Sequence, residues 1–311
     1  MILNTGSRTD IPAYYSNWFY NRIREGFVYV RNPFSPSQVT SYLLDPCVID
    51  ACVFCTKNPA PMMERLSLLS PFDTFWFVTI TPYGQDVEPF VPPTDQVIRT
   101  FRQLSALVGP GRISWRYDPV FLTDKYSLSF HMEVFHRMAG MLAGYTDQCV
   151  VSFIDLYEKT KRNFKGVTGV TPEEQDLLIS SFSETASKYG LQIHLCCENA
   201  NLVRSHVDAG GCLSKAVLEQ ALDCRLDVPK RKAARSECTC LLGADIGAYN
   251  TCSHGCLYCY ANYDRETVLR NRKLHNPGSP LLIGEIQEGD VIKAAEQKSW
   301  KNGQMELSDL L

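Results

Sequence analysis

Three cysteines stand close together in TCSHGCLYC, residues 251–259, as Cys252, Cys256 and Cys259 in a C-x3-C-x2-C spacing. Four thiolates would close a structural zinc site or an ordinary cubane cluster. Three leave one coordination position open. An iron–sulfur cube held by three cysteines keeps one iron free for a ligand that the protein does not supply. That arrangement can bind and reductively cleave S-adenosylmethionine.

Other sulfur in the chain offers rival chemistry. Cys238 and Cys240 lie twelve to fourteen residues before Cys252, so a four-cysteine zinc knot could be assembled from the two groups. The chain would then be a zinc-stapled, non-catalytic barrel acting as a binding module. His254 is either a further ligand or a spacer between two ligands. Cys197, Cys212, Cys238 and Cys240 form a candidate second metal site, against the alternative that Cys196 and Cys197 are simply buried in a strand. The chain has thirteen cysteines, ten of them beyond residue 148. In a reducing compartment such cysteines stay as thiols or become ligands and redox groups. Cys47, Cys52, Cys149 and Cys224 read as small buried core residues.

Short β-branched runs alternate with longer helical patterns and must position these groups. Strand candidates are residues 2–5, 27–30, 48–54, 75–80, 112–115, 149–154, 191–196 and 244–249. Helix candidates are residues 14–25, 35–44, 60–69, 94–108, 127–143, 171–189, 213–222 and 257–273, with one more after NPGSP in EGDVIKAAEQKSW. Thr171-Pro172-Glu173-Glu174 orders an N-cap, an N1 proline and first-turn acids. This alternation predicts a parallel sheet with crossover helices. Eight strands in about 250 residues suit a closed (β/α)8 TIM-barrel-like fold, and no nucleotide-binding glycine motif follows any strand. Residues 1–226 would carry strands one to seven. Residues 227–275 would carry a polar connector, the last strand and the cysteine loop with its helix, and 276–311 an extension, all in one compact domain.

In such a fold the chemistry lies where strands end. Polar residues gather there: Ser7-Arg8-Thr9-Asp10, Arg31-Asn32, Thr56-Lys57-Asn58, Thr79 and Thr81, Arg116-Tyr117-Asp118, Asp155 with Tyr157, and Glu198-Asn199. One reading is a set of ion pairs closing the barrel mouth. The other is a polar cavity for a small-molecule substrate, since so many charges on one rim are costly to desolvate without a use. Lys57, Arg116, Asp118, Asp155 and Glu198 are the catalytic candidates. Arg8, Asp10 and Asn58 are candidates for cofactor contact. Lys57 could bind an anion or act as a base. Arg116 and Asp118, two apart on one strand, would point the same way and could pair or clamp a zwitterion.

Apolar residues make up 45% and charged residues 21% of 311, with a net charge of −3. There is no global basic field to recruit nucleic acid or an anionic membrane. MILNTGSRTD lacks a signal-peptide pattern and no segment has membrane-spanning length, so a cytoplasmic protein is expected.

The aromatic before the last cysteine, Tyr258, makes the loop similar to that of the radical S-adenosylmethionine superfamily. SRTDIPAYY, CTKNPAPM, WRYDPV, FIDLY and DIGAYNTCSHGCLYCYA resemble the family catalogued as domain of unknown function 1848, along nearly the whole chain. The resemblance implies that Cys252, Cys256 and Cys259 bind a [4Fe-4S] cluster, that S-adenosylmethionine chelates its open iron, and that Tyr258 packs by the adenine. It also implies an electron donor such as a flavodoxin or ferredoxin. The superfamily's cysteine loop ordinarily follows the first strand and here follows the last, which points to a circularly permuted barrel with strand eight beside strand one. No GGE-like stretch for the methionine amine follows a second strand.

Overall fold

The computed structural model describes residues 1–229, 238–241 and 243–302. In chain order its strands and helices are β1 Ile2–Asn4, α1 Ile11–Tyr14, α2 Ser16–Glu25, β2 Phe27–Arg31, β3 Gln38–Leu43, β4 Ala51–Thr56, α3 Ala60–Met63, β5 Thr74–Thr79, α4 Thr94–Val108 and β6 Ile113–Val120. There follow α5 Leu128–Leu142, β7 Gln148–Phe153, α6 Glu158–Asn163, α7 Pro172–Tyr189, β8 Gln192–Leu195, β9 Val207–Asp208, α8 Lys215–Leu222, β10 Ala244–Asp245, α9 Arg265–Lys273 and β11 Val291–Ala294.

Eight strands form one parallel sheet in the order β10-β1-β4-β5-β6-β7-β8-β9. Every residue of β5 is buried, and β4 and β7 are buried but for one residue each. This is the pattern of strands covered on both faces, and it explains why they read as continuous apolar runs. β10, the expected eighth strand, pairs with β1, Leu3 opposite Ala244. The expected closed barrel is not seen: among the described residues no ladder joins β9 to β10, and the sheet stays open. The two edges nevertheless lie near each other, since the Leu241 amide donates to the Leu213 carbonyl at 2.8 Å.

Two expected elements change type and one changes sheet. Residues 27–31 are not a barrel strand: β2 pairs antiparallel with β3, and β11 adds in parallel to β3, making a separate three-stranded sheet. Residues 35–44 therefore hold a strand where a helix was expected. The Asn32 side chain accepts from the Phe34 and Ser35 amides at 2.9 and 3.2 Å, closing a turn that returns the chain onto β2. The β-branched pair Val291-Ile292 likewise makes β11 a strand in place of a helix. The place of the missing sheet strand is taken by β9, two residues long. Within 257–273 only α9 is helical, while α6 is an additional helix. The capping box at Thr171 is present, the Thr171 hydroxyl accepting from the Glu174 amide and Glu174 answering at the Thr171 amide. Among the described residues, no helix is long and apolar enough to cross a membrane.

The core is aromatic, with Trp76 stacked on Phe54 and Trp115 stacked on Phe135. It also encloses His131. The Phe121 carbonyl can only accept, so His131 Nε2 carries the proton it receives at 2.9 Å, and Nδ1 accepts from the Tyr117 hydroxyl at 2.7 Å. Burial pushes His131 down from 6.5 to about 4. The unfolded chain therefore binds a proton that the native one refuses between those values. Stability should be intact above pH 6.5 and fall by about 3 kcal/mol as pH drops toward 4. Urea melts of native protein and His131→Gln at both pH values check this. Equal acid sensitivity in the two proteins would refute it.

Candidate functional site

Because all eight strands of the large sheet run in parallel, their carboxyl ends share one edge, where open α/β sheets place their ligands. The loop after β10 carries Cys252, Cys256 and Cys259 to that edge. It is fastened there at several points. Leu257 N–H donates to the Val87 carbonyl at 3.0 Å and Phe90 N–H to the His254 carbonyl at 3.1 Å. Gly255 makes this approach feasible: its φ is +71°, and a Cβ there would lie 3.0 Å from the Phe90 ring.

Asp10 is the hub of the docking. One carboxylate oxygen accepts from Thr56 Oγ1 at 2.7 Å and from the Ala13 amide at 3.0 Å, capping α1. The other accepts from the Lys57 amide at 2.8 Å and meets His254 Nε2 at 2.8 Å. His254 Nδ1 faces the Tyr14 hydroxyl at 3.0 Å. Both ring nitrogens of His254 thus have partners, and the ring pins the cysteine loop to the ends of β1 and β4.

A second anchor is Glu88, in the loop after β5 and only 3% exposed. Its Oε1 receives Lys57 Nζ at 2.9 Å, Thr81 Oγ1 at 2.7 Å and the Tyr258 hydroxyl. Lys57 Nζ also lies 5.7 Å from the centre of the Tyr258 ring. Burial pulls Lys57 down, but Glu88 and the neighbouring Cys256 outweigh it, so its ammonium is held above the ordinary value. Glu88, Thr79, Thr81, Tyr83, Gln85 and Thr94 line a cavity of about 410 Å³ beside this network.

The three loop cysteines keep some solvent-accessible surface, yet burial pushes each thiol up. Asp10 adds to the rise at Cys252 and Glu88 to that at Cys256, and Cys259 raises both. Their chemistry as a donor set suits a centre of positive charge, which would offset those costs. Among the described residues, however, no group of three or more His, Cys, Asp or Glu side chains is arranged to hold a metal ion.

Of the other expected residues, Arg116 and Asp118 do pair across two positions of β6, and the Arg116 guanidinium lies 5.3 Å from the centre of the Phe77 ring and 3.7 Å from Cys212 Sγ. Arg8 approaches Asp245 at 3.8 Å and overlies Tyr249 at 5.6 Å. Asp245 itself also receives the Ser7 amide at 2.8 Å. Glu198 accepts from Phe153 N–H at 2.7 Å and Ser152 Oγ at 3.0 Å, and burial raises its carboxyl to about 7. Asn58 closes a local turn, its side-chain oxygen accepting from the Ala60 amide at 3.3 Å. Asp155 is exposed and takes the Tyr157 hydroxyl at 3.0 Å. Arg31 leaves the rim altogether, since its guanidinium forks onto Asp290 with two 2.6 Å bonds in the small sheet.

The sulfur beyond the loop is also rearranged. Cys240 Sγ faces Cys212 Sγ at 3.4 Å. Cys196 Sγ lies 4.0 Å from Cys212 Sγ. Cys52 and Cys149 are buried as expected, whereas Cys47 is exposed and Cys224 half-buried. Glu88, Asp245 and Tyr14 were not among the expected site residues. Glu88 lies in QDVEPF, a stretch with no periodicity, and only the folded chain shows that it neutralises Lys57.

The family model described as Domain of unknown function (DUF1848) matches residues 2–261. No curated protein and no solved structure matches the chain.

Proposed function

We propose that this chain, which belongs to the family described as Domain of unknown function (DUF1848), is an iron–sulfur enzyme acting on a small polar substrate. Cys252, Cys256 and Cys259 would hold a [4Fe-4S] cluster with one iron left for S-adenosylmethionine. The observation that carries the reading is where the loop is docked. His254 on Asp10 and Tyr258 on Glu88 fix the three cysteines among residues from the ends of β1, β4 and β5. The chemistry such a cluster supplies is one-electron reductive cleavage of S-adenosylmethionine, fed by a donor such as a flavodoxin or ferredoxin.

The chain's own residues have definite tasks in this reading. Lys57 brings a buried positive charge to a place where thiolates would gather, and Glu88 holds it in position. Tyr258 ties its hydroxyl to Glu88 and turns a ring face toward Lys57. The Arg116–Asp118 pair can take a zwitterionic substrate by exchanging partners with its amine and carboxylate. The neighbouring cavity of about 410 Å³ has the size of a small-ligand site.

Anaerobic purification tests the reading. Iron and acid-labile sulfide near about four per chain are expected, together with S-adenosylmethionine binding that needs the iron. A colourless protein carrying stoichiometric zinc on the loop cysteines would overturn it.

A further inference from the structure

Outside the cluster loop, four more cysteines converge from parts of the chain that are far apart in sequence. Cys196 lies just past β8, Cys212 in the Gly210-Gly211-Cys212 turn past β9, and Cys238 and Cys240 on the segment leading to β10. Cys212 Sγ is 4.0 Å from Cys196 Sγ and 3.4 Å from Cys240 Sγ. Cys238 stands two residues before Cys240 on the same segment. The segment 238–241 is stitched to the turn by Thr239 Oγ1 donating to the Gly210 carbonyl at 2.6 Å and by the Leu241–Leu213 backbone bond at 2.8 Å. Gly211 permits the contact: with φ +91°, a Cβ there would fall 2.4 Å from Thr239 Oγ1 and 3.3 Å from the Cys240 amide.

Buried thiols are weak hydrogen-bonding groups and give little reason for such an assembly. A tetrahedral ion with bonds of about 2.3 Å to sulfur sets its ligands about 3.8 Å apart, and the two measured separations straddle that value. Arg116 adds the matching charge. Four thiolates around a divalent cation carry a net negative charge, and the Arg116 guanidinium stands 3.7 Å from the central sulfur, that of Cys212.

We propose that Cys196, Cys212 and Cys240, with Cys238 as fourth ligand, form a thiolate site for a divalent ion of the zinc type. The ion staples the end of β9 to the segment leading into β10, across the seam where no strand ladder joins the described residues. As described, the sulfurs are strung as hydrogen-bonded thiols. The ion replaces the shared protons, draws the outer sulfurs in and closes the chain into a shell. The site is separate from the cluster loop and does not depend on what that loop binds.

Cobalt(II) is the probe, added under reducing, anaerobic conditions to full-length protein stripped with chelator. The Cys252→Ala/Cys256→Ala/Cys259→Ala variant should still show the visible bands of tetrahedral cobalt thiolate, and zinc should bleach them. Cys212→Ser and Cys240→Ser should lose the bands while keeping the native circular dichroism. Should the triple variant fail to fold, alkylation of the native chain decides: zinc should shield Cys196, Cys212, Cys238 and Cys240 from iodoacetamide at least ten-fold. Bands that survive in Cys212→Ser, equal alkylation with and without zinc, or a Cys212–Cys240 disulfide that excludes the metal would overturn the proposal.

Discussion

Alanine at Cys252, Cys256 and Cys259 together should reduce bound iron and sulfide from about four per chain to none and leave the fold intact. The second half of the expectation gives the test its power. Burial already disfavours the thiolate at each of these cysteines, and the thiolates would oppose one another. The metal-free loop therefore gains little from its sulfur. It is held by His254 on Asp10, by Tyr258 on Glu88 and by two backbone bonds to 87–90, none of which uses a cysteine side chain. Losing three partly exposed sulfur atoms should change the stability of metal-free protein by no more than about 1–2 kcal/mol. If the cysteines were merely packing groups, the native protein would hold no iron and the only loss would be in stability. Iron and sulfide assays with anaerobic urea melts on both proteins separate the cases. Iron retained by the variant would sink the assignment.

The parts of this molecule that could be read from sequence are those fixed by short-range pattern. The FWFVTI and CVVSFI runs are buried on both faces and became β5 and β7, and the residues just after such runs did collect on one edge. The FVYV run could not be assigned in the same way. Its four residues look like a sheet strand wherever it pairs, and only the turn at Asn32 and the arrival of β11 from 250 residues away place it in the small sheet. The two-residue β9 is too short to carry any period at all. Closure was inferred from a count of eight, and the count held, while among the described residues no ladder joins β9 to β10. At the site, Asp10, Lys57 and the three cysteines were visible because they flank strands or share a tight spacing. Glu88 was not, since its role comes from a Lys57 that is 31 residues away. The approach of Cys196 to Cys212 was not legible either, since it depends on the backbone past β8, where the next residue, Cys197, takes a left-handed φ of +59°.

Replacing Glu88 by alanine should destabilise the protein by about 3–5 kcal/mol at neutral pH, the effect of stripping one partner from a buried ion pair. Lys57 is 11% exposed and would keep its charge with no counterion, while Thr81 and Tyr258 would lose their shared acceptor. The sign of the pH dependence follows. In the native chain Lys57 is held above its ordinary value of 10.5, so the pair's contribution is complete below that value and fades as pH rises through the folded one. Without Glu88, burial becomes the dominant influence and pushes the ammonium below its ordinary value, so the variant should recover stability as pH rises toward 10.5. Adding Lys57→Met to Glu88→Ala should restore much of the loss, because the stranded charge goes with it. A Glu88→Ala protein within about 1 kcal/mol of native at neutral pH would mean that Lys57 is solvated and the pair is no buried anchor. The same variant also releases Tyr258, one of the side chains that dock the cysteine loop. Metal affinity should fall about 10–100-fold, the usual effect of removing a group that orients ligands. Loss of stability and loss of iron together in this one substitution would tie the Lys57–Glu88 pair to the loop it is placed to hold.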